Sequence, residues 1–170
     1  MAYKSKYVYV DCTLEWAKLR EEDRDMGPED GSDMAKNFED KQGVYVVNCY
    51  IDEGTRVKMI KDGIPDKGLQ AQLFKTDKEG RVYYKATSPH FNPKFVDQET
   101  GEQGVLIGPP EVFDGEGDAL TPWDWKSKGL IGNGTKAIVK FSVWDGKITT
   151  LQAIKVTDHV VYEREEVGAF

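Results

Sequence analysis

The run Lys136-Ala-Ile-Val-Lys-Phe-Ser-Val-Trp144 is strand-like and its two faces differ in chemistry. With a side-chain period of two, Ala137, Val139, Phe141 and Val143 point one way and read as core. Lys136, Ile138, Lys140, Ser142 and Trp144 point the other way. A second run, Arg81-Val-Tyr-Tyr-Lys-Ala-Thr87, repeats the pattern, with Arg81, Tyr83, Lys85 and Thr87 on one face and Val82, Tyr84 and Ala86 on the other. Amines beside flat rings suit a polyanion that carries bases: the amines meet phosphates and the rings stack. Either strand alone is equally well an ordinary amphipathic strand, its tryptophan covering a loop or its charges paired across the sheet. Two such strands in one chain favour a nucleic-acid surface.

A third segment, Thr121-Pro-Trp-Asp-Trp-Lys-Ser-Lys128, puts Trp123 and Trp125 beside Lys126 and Lys128. A loop with two tryptophans either plugs the end of a barrel or grips a ligand, and the sequence leaves both open. The candidate stacking residues are therefore Tyr83, Trp123, Trp125 and Trp144. Phe91 and Phe95 are weaker candidates, explained as well by anchoring a loop. The candidate phosphate contacts are Arg81, Lys85, Lys126, Lys128, Lys136 and Lys140.

These residues need strands to hold them. Tyr7–Asp11 reads as a first strand, and Thr13–Asp25 as a short helix with Thr13 as its cap. Gly43–Ile51 is rich in β-branched and aromatic residues and reads as a strand. Thr55–Lys61 reads as a short helix closed by Asp62-Gly63. Strands over Leu69–Lys75 and Arg81–Thr87 are expected to be joined by the turn Asp77-Lys-Glu-Gly80. Residues 88–130 are expected to be mostly loop, with short strands near Val105–Ile107 and Glu111–Phe113. Gly132-Asn-Gly-Thr135 turns into the Lys136 strand, and Asp145-Gly146 leads to a last strand over Lys147–Tyr162. Many short strands with long loops and one short helix predict a mainly β fold, an OB-fold-like five-stranded Greek-key barrel. Its domain spans residues 1–160, with an acidic loop at 20–40 inserted and a short acidic tail at 161–170.

The 170 residues carry a net charge of −7, which at first argues against nucleic acid. The acid is localised, however. Residues 20–40 carry −6 and residues 158–170 carry −3, which leaves +2 for the remainder. Cys12 and Cys49, with no paired-cysteine motif, predict neither a disulfide framework nor a zinc site. No apolar run approaches the length of about 20 residues that a membrane span needs, and no secretory leader is apparent. The expectation is a reduced, cytosolic protein with no membrane association.

The order Gln-Gly-Val-Tyr-Val-Val-Asn-Cys-Tyr-Ile (42–51), Gly-Leu-Ile-Gly-Asn-Gly-Thr-Lys-Ala-Ile-Val-Lys-Phe-Ser-Val (129–143) and Leu-Gln-Ala-Ile-Lys-Val (151–156) resembles tailed-phage single-stranded DNA-binding proteins of the podophage replication type. The ending Glu163-Arg-Glu-Glu-Val-Gly-Ala-Phe170 resembles that family's acidic tail closed by phenylalanine, although here it is short and contains Arg164. The resemblance implies an OB-fold and sequence-tolerant binding of single-stranded DNA in DNA replication and recombination. It also implies a tail that docks on a phage DNA polymerase and primase-helicase. The setting would be the cytoplasm of an infected bacterial host, and a homodimer is compatible with it. In that reading Glu163, Glu165, Glu166 and Phe170 form the partner-binding tail. Three glutamates and a terminal ring also mimic phosphates and a base, so the tail is expected to occupy the empty DNA groove.

An enzyme is not expected. Asp114-Gly-Glu-Gly-Asp118 resembles the start of a divalent-metal loop but lacks the closing glutamate, where Trp125 stands. No phosphate-binding loop, zinc-protease motif or nucleophile with a partner is present, and no cofactor is implied. The remaining alternative is a protein-interaction or virion-structural β-barrel without nucleic-acid binding.

Overall fold

The computed structural model describes residues 5–25, 43–66, 73–96, 99–116, 120–144 and 146–161. The fold is mainly β, as the alternating valines, tyrosines and threonines predict. In chain order the elements are β1 (Ser5–Lys18), β2 (Val44–Tyr50), helix α1 (Glu53–Asp62), β3 (Phe74–Thr76), β4 (Val82–Pro89), β5 (Phe91–Val96) and β6 (Gln103–Leu106). They continue as β7 (Glu111–Asp114), β8 (Thr121–Pro122), the single-turn helix α2 (Trp125–Lys128), β9 (Thr135–Trp144) and β10 (Ile148–Asp158). Eight strands form one sheet in the order β3-β4-β2-β1-β9-β10-β7-β8, while β5 and β6 pair separately. The expected five-stranded barrel is thus corrected to an eight-stranded sheet that is not closed. Short strands β3, β7 and β8 extend it at both edges; β7 falls on the strand expected near Glu111–Phe113, whereas β8 was not expected.

The sheet curls. In a flat sheet β4 and β9, three places apart, would be separated by roughly 14 Å at about 4.8 Å per strand. Yet the rings of Tyr84 on β4 and Phe141 on β9 meet edge-on at 5.4 Å between centroids. The inner face therefore wraps a core that includes Val8, Val10, Leu14, Val47, Cys49, Tyr84, Ala86, Leu151, Ile154 and Val156. Ala137, Val139, Phe141 and Val143 all lie in it, as the alternation predicts. Helix α1 adds Met59, and Ile64 follows just after its end. Asp52 caps its start by accepting from the Thr55 N–H at 2.7 Å, and Gly63 ends it at φ +119°, a region that glycine enters without steric cost.

Three local expectations change. The helix expected over Thr13–Asp25 is instead the second half of β1, followed by a 3-10 turn at Glu21–Asp23. Leu14 pairs with Thr135 on one side and Cys49 on the other, so tertiary pairing on both edges overrides a locally helical composition. The stretch from residue 88, read as loop, contains β5, which pairs with β6 through Phe91–Leu106. The last strand stops at Asp158 rather than Tyr162, and Val161 makes only an isolated bridge to Ile131. Of the strand expected over Leu69–Lys75, residues 69–72 lie outside the described residues, and Phe74–Thr76 is strand.

Candidate nucleic-acid interface

Directly paired residues of antiparallel strands share a face of the sheet. Lys75 pairs with Tyr83, Tyr83 with Tyr50, Tyr50 with Thr13, and Thr13 with Lys136. One row across five strands thus carries the polar faces of β4 and β9 on the same, outer side. Further along the β1–β9 ladder, Tyr9 pairs with Lys140, Tyr7 with Ser142 and Ser5 with Trp144. Trp144 in turn pairs with Ile148 of β10.

This second region exposes three aromatic rings. Tyr7 is 52% exposed, Tyr9 57% and Trp144 42%. The Lys140 ammonium sits 4.2 Å from the centroid of the Tyr7 ring, a cation held against an aromatic face. Val8 and Val10 turn inward into the core, which fixes the tyrosines outward. The sequence reading missed Tyr7 and Tyr9, although the alternation Tyr7-Val-Tyr-Val10 carries the signal. Lys136, also outward, is exposed.

Just before and beside β4 the polar groups are paired with one another. The Arg81 guanidinium lies 4.4 Å over the Tyr50 ring, and Tyr50 and Tyr83 pack at 5.0 Å. Arg81 also meets Glu15 at 3.0 Å and Asp77 at 2.9 Å. The Tyr50 hydroxyl donates to Asp77 at 3.1 Å. Burial, this bond and the neighbouring carboxylates Glu15 and Asp77 push the Tyr50 phenol up to about 12, against the opposing effect of Arg81. The Arg81 charge is therefore already met by carboxylates, unlike that of an amine waiting for phosphate. Lys85 lies half-buried on the same face, opposite Asn48.

The two-tryptophan loop is a plug. Trp123 is 5% exposed, and its indole N–H donates to the Gly129 carbonyl at 3.1 Å. His159 packs edge-on at 4.6 Å and Trp125 at 6.4 Å. Trp125 is partly buried against the core, with the Arg20 guanidinium 5.9 Å from its ring. Lys128 lies 5.1 Å over Trp123 and forms an ion pair with Asp114. That hydrogen bond raises the lysine's pKa and lowers the carboxyl's. The pair also commits Asp114, the first acid of the metal-loop-like segment. Lys126 is exposed on α2. Trp123 has no free face to offer a base, and Lys128 serves the plug. Phe91 is half-buried, its ring packed so closely on Gly104 that a Cβ there would meet it.

The tail residues Glu163, Glu165, Glu166 and Phe170 lie outside the described residues, as does most of the acidic loop. At the start of that loop, Arg20 is held by Asp23 at 2.7 Å and Glu22 at 3.3 Å. Among the described residues no helix is long and apolar enough to cross a membrane, and no three His, Cys, Asp or Glu side chains gather as metal ligands would. No protein-family model matches the chain, and no curated protein matches it in sequence.

Proposed function

We propose that this chain is a sequence-tolerant single-stranded DNA-binding protein of a phage replication and recombination system, working in the cytoplasm of the infected bacterium. The observation that carries the reading is the outer face of β1 and β9, where Tyr7, Tyr9 and Trp144 are exposed and Lys140 lies against Tyr7. Exposed rings bind bases without reading them, because every base has a stacking face, and adjacent amines follow the backbone. The row through Lys75, Tyr83 and Lys136 continues the same chemistry on the same side of the sheet.

The five longest strands, in the order β4-β2-β1-β9-β10, are read as an OB-like Greek-key core that edge strands extend, with the seam between β4 and β10 left open. The tail is proposed to occupy the DNA face when it is empty. Displaced by DNA, it would recruit a phage polymerase or primase-helicase through Glu163, Glu165, Glu166 and Phe170. No residue is given a catalytic role.

The test is binding of oligo-dT against a matched duplex at two salt concentrations. Single-strand binding that weakens with salt supports the reading. If neither form binds at low salt, the exposed rings belong instead to a protein-interaction surface.

A further inference from the structure

Trp16 stands where the β1–β9 ladder ends, and its backbone is strained. Its φ is +54°, the only positive value among the described residues other than glycine. For a bulky side chain this is an outlier, and such outliers persist only where the surroundings enforce them. Here the enforcement is visible. The β1–β2 register shifts between Glu15 and Lys18, and the Trp16 N–H donates to the Asn133 side-chain carbonyl at 2.8 Å. Asn133 is itself fixed by the turn that starts β9, in which the Gly134 N–H donates to the Leu14 carbonyl at 2.9 Å.

Burial does not explain this arrangement. The residue is 63% exposed, the most exposed tryptophan described. The chain holds a large apolar ring out in water on a backbone that glycine or asparagine would adopt more easily. Its position gives the ring a use. Trp144 pairs with Ser5 at one end of the ladder, and Trp16 lies at the other, eleven residues along β1. At about 3.3 Å per residue that is roughly 35 Å. In the register of the ladder, the positions of Tyr7, Tyr9, Lys140 and Lys136 fall between those of Trp144 and Trp16.

We infer that Trp16 is a second stacking post for the bases of a single strand, so that the strand follows the β1–β9 ladder from Trp144 to Trp16. This rests on the single-stranded DNA reading and adds to it a path and a minimum length. At about 3.4 Å per stacked nucleotide, dT4 covers roughly 14 Å and cannot touch both posts. By the same spacing dT16 covers roughly 54 Å and reaches both.

The experiment compares the full chain with Trp16→Gly, using dT4 and dT16. Glycine relieves the backbone, so the variant is expected to melt at the same temperature or higher while binding dT16 about tenfold more weakly. Affinity for dT4, which the Trp144 end already satisfies, is expected to change less than about twofold. A merely structural tryptophan would give the reverse pattern, a lower melting temperature and unchanged binding. Should Trp16→Gly not fold, Trp16→Asn tolerates the same backbone region and reports the same comparison.

Unchanged dT16 affinity overturns the proposal. Unchanged affinity with altered self-association overturns it too, and assigns the indole to a protein contact. If the unaltered chain binds neither oligonucleotide, the DNA reading itself fails and takes the path with it. If the unaltered chain binds and only Trp16→Gly is silent, the path alone is wrong.

Discussion

Replacing Trp123 by alanine separates the plug from the interface. The indole is buried, donates to the Gly129 carbonyl, and packs against His159, Trp125 and the Lys128 ammonium. Truncating a buried tryptophan removes its transfer energy and leaves a cavity, together about 3–5 kcal/mol. The Gly129 carbonyl loses its partner as well, so the upper half of that range is expected. Domains of this size are stable by about 5–15 kcal/mol, so Trp123→Ala should remain folded at room temperature with a substantially lower margin. At roughly 2–4 °C per kcal/mol, the melting temperature should fall by about 8–20 °C. The assay is urea unfolding followed by circular dichroism, with oligo-dT affinity measured well below the transition. Affinity per folded molecule should stay within about twofold. A destabilisation under about 1 kcal/mol, together with a large loss of DNA binding, would refute the assignment of Trp123 to the core.

Tyr9→Ala and Trp144→Ala should each weaken oligo-dT binding by about 1–3 kcal/mol, roughly 5- to 150-fold, with little change in melting temperature; equilibrium titration and thermal melts check both. Lys140→Gln should lower the slope of log affinity against log salt by about 0.7, as loss of one phosphate contact does on a single strand. Arg81→Gln should leave that slope nearly unchanged, because Glu15 and Asp77 already meet its charge. His90 is buried with Nδ1 2.7 Å from the Tyr45 hydroxyl, and burial, with a smaller effect from nearby Arg24, lowers its pKa. The unfolded chain therefore binds this proton more readily. Stability from His90 is complete above its ordinary value near 6.5 and is lost as pH falls from there toward the lowered folded value. Urea midpoints at pH 7.5 and 5.5 should fall with acid in the native chain and change less in His90→Gln.

The alternation along β9 and β4 made their two faces legible in the sequence, because a strand with one buried face leaves a period-two record. The same record was present in Tyr7-Val-Tyr-Val10, yet tyrosine serves a core as readily as a surface. Only the burial of Val8 and Val10 decides which way the rings point. Trp123 and Trp144 could not be told apart from composition either. One is fixed inward by a bond to Gly129, six residues along the chain, and by His159 from beyond β10; the other sits outward through pairing with Ser5 and Ile148. Of the two carboxylates that meet Arg81, Asp77 lies only four residues away and was legible in the sequence, whereas Glu15, 66 residues away, was not. The helical reading of Thr13–Asp25 failed for a related reason: its two partner strands are distant in the chain. The strain at Trp16 has no sequence signature, since left-handed backbone announces itself only where glycine or asparagine occupies it.

Single-stranded DNA is proposed to bind the exposed rings and amines of the β1–β9 face. The most direct test is a titration with oligo-dT and the matching duplex at low and then moderate salt, following tryptophan emission. Of the four tryptophans, Trp123 is shielded and Trp125 partly so, which leaves Trp16 and Trp144 to report contact with bases. Quenching by the single strand is expected, weaker with the duplex and reversed by added salt. No binding and no quenching at low salt would contradict it.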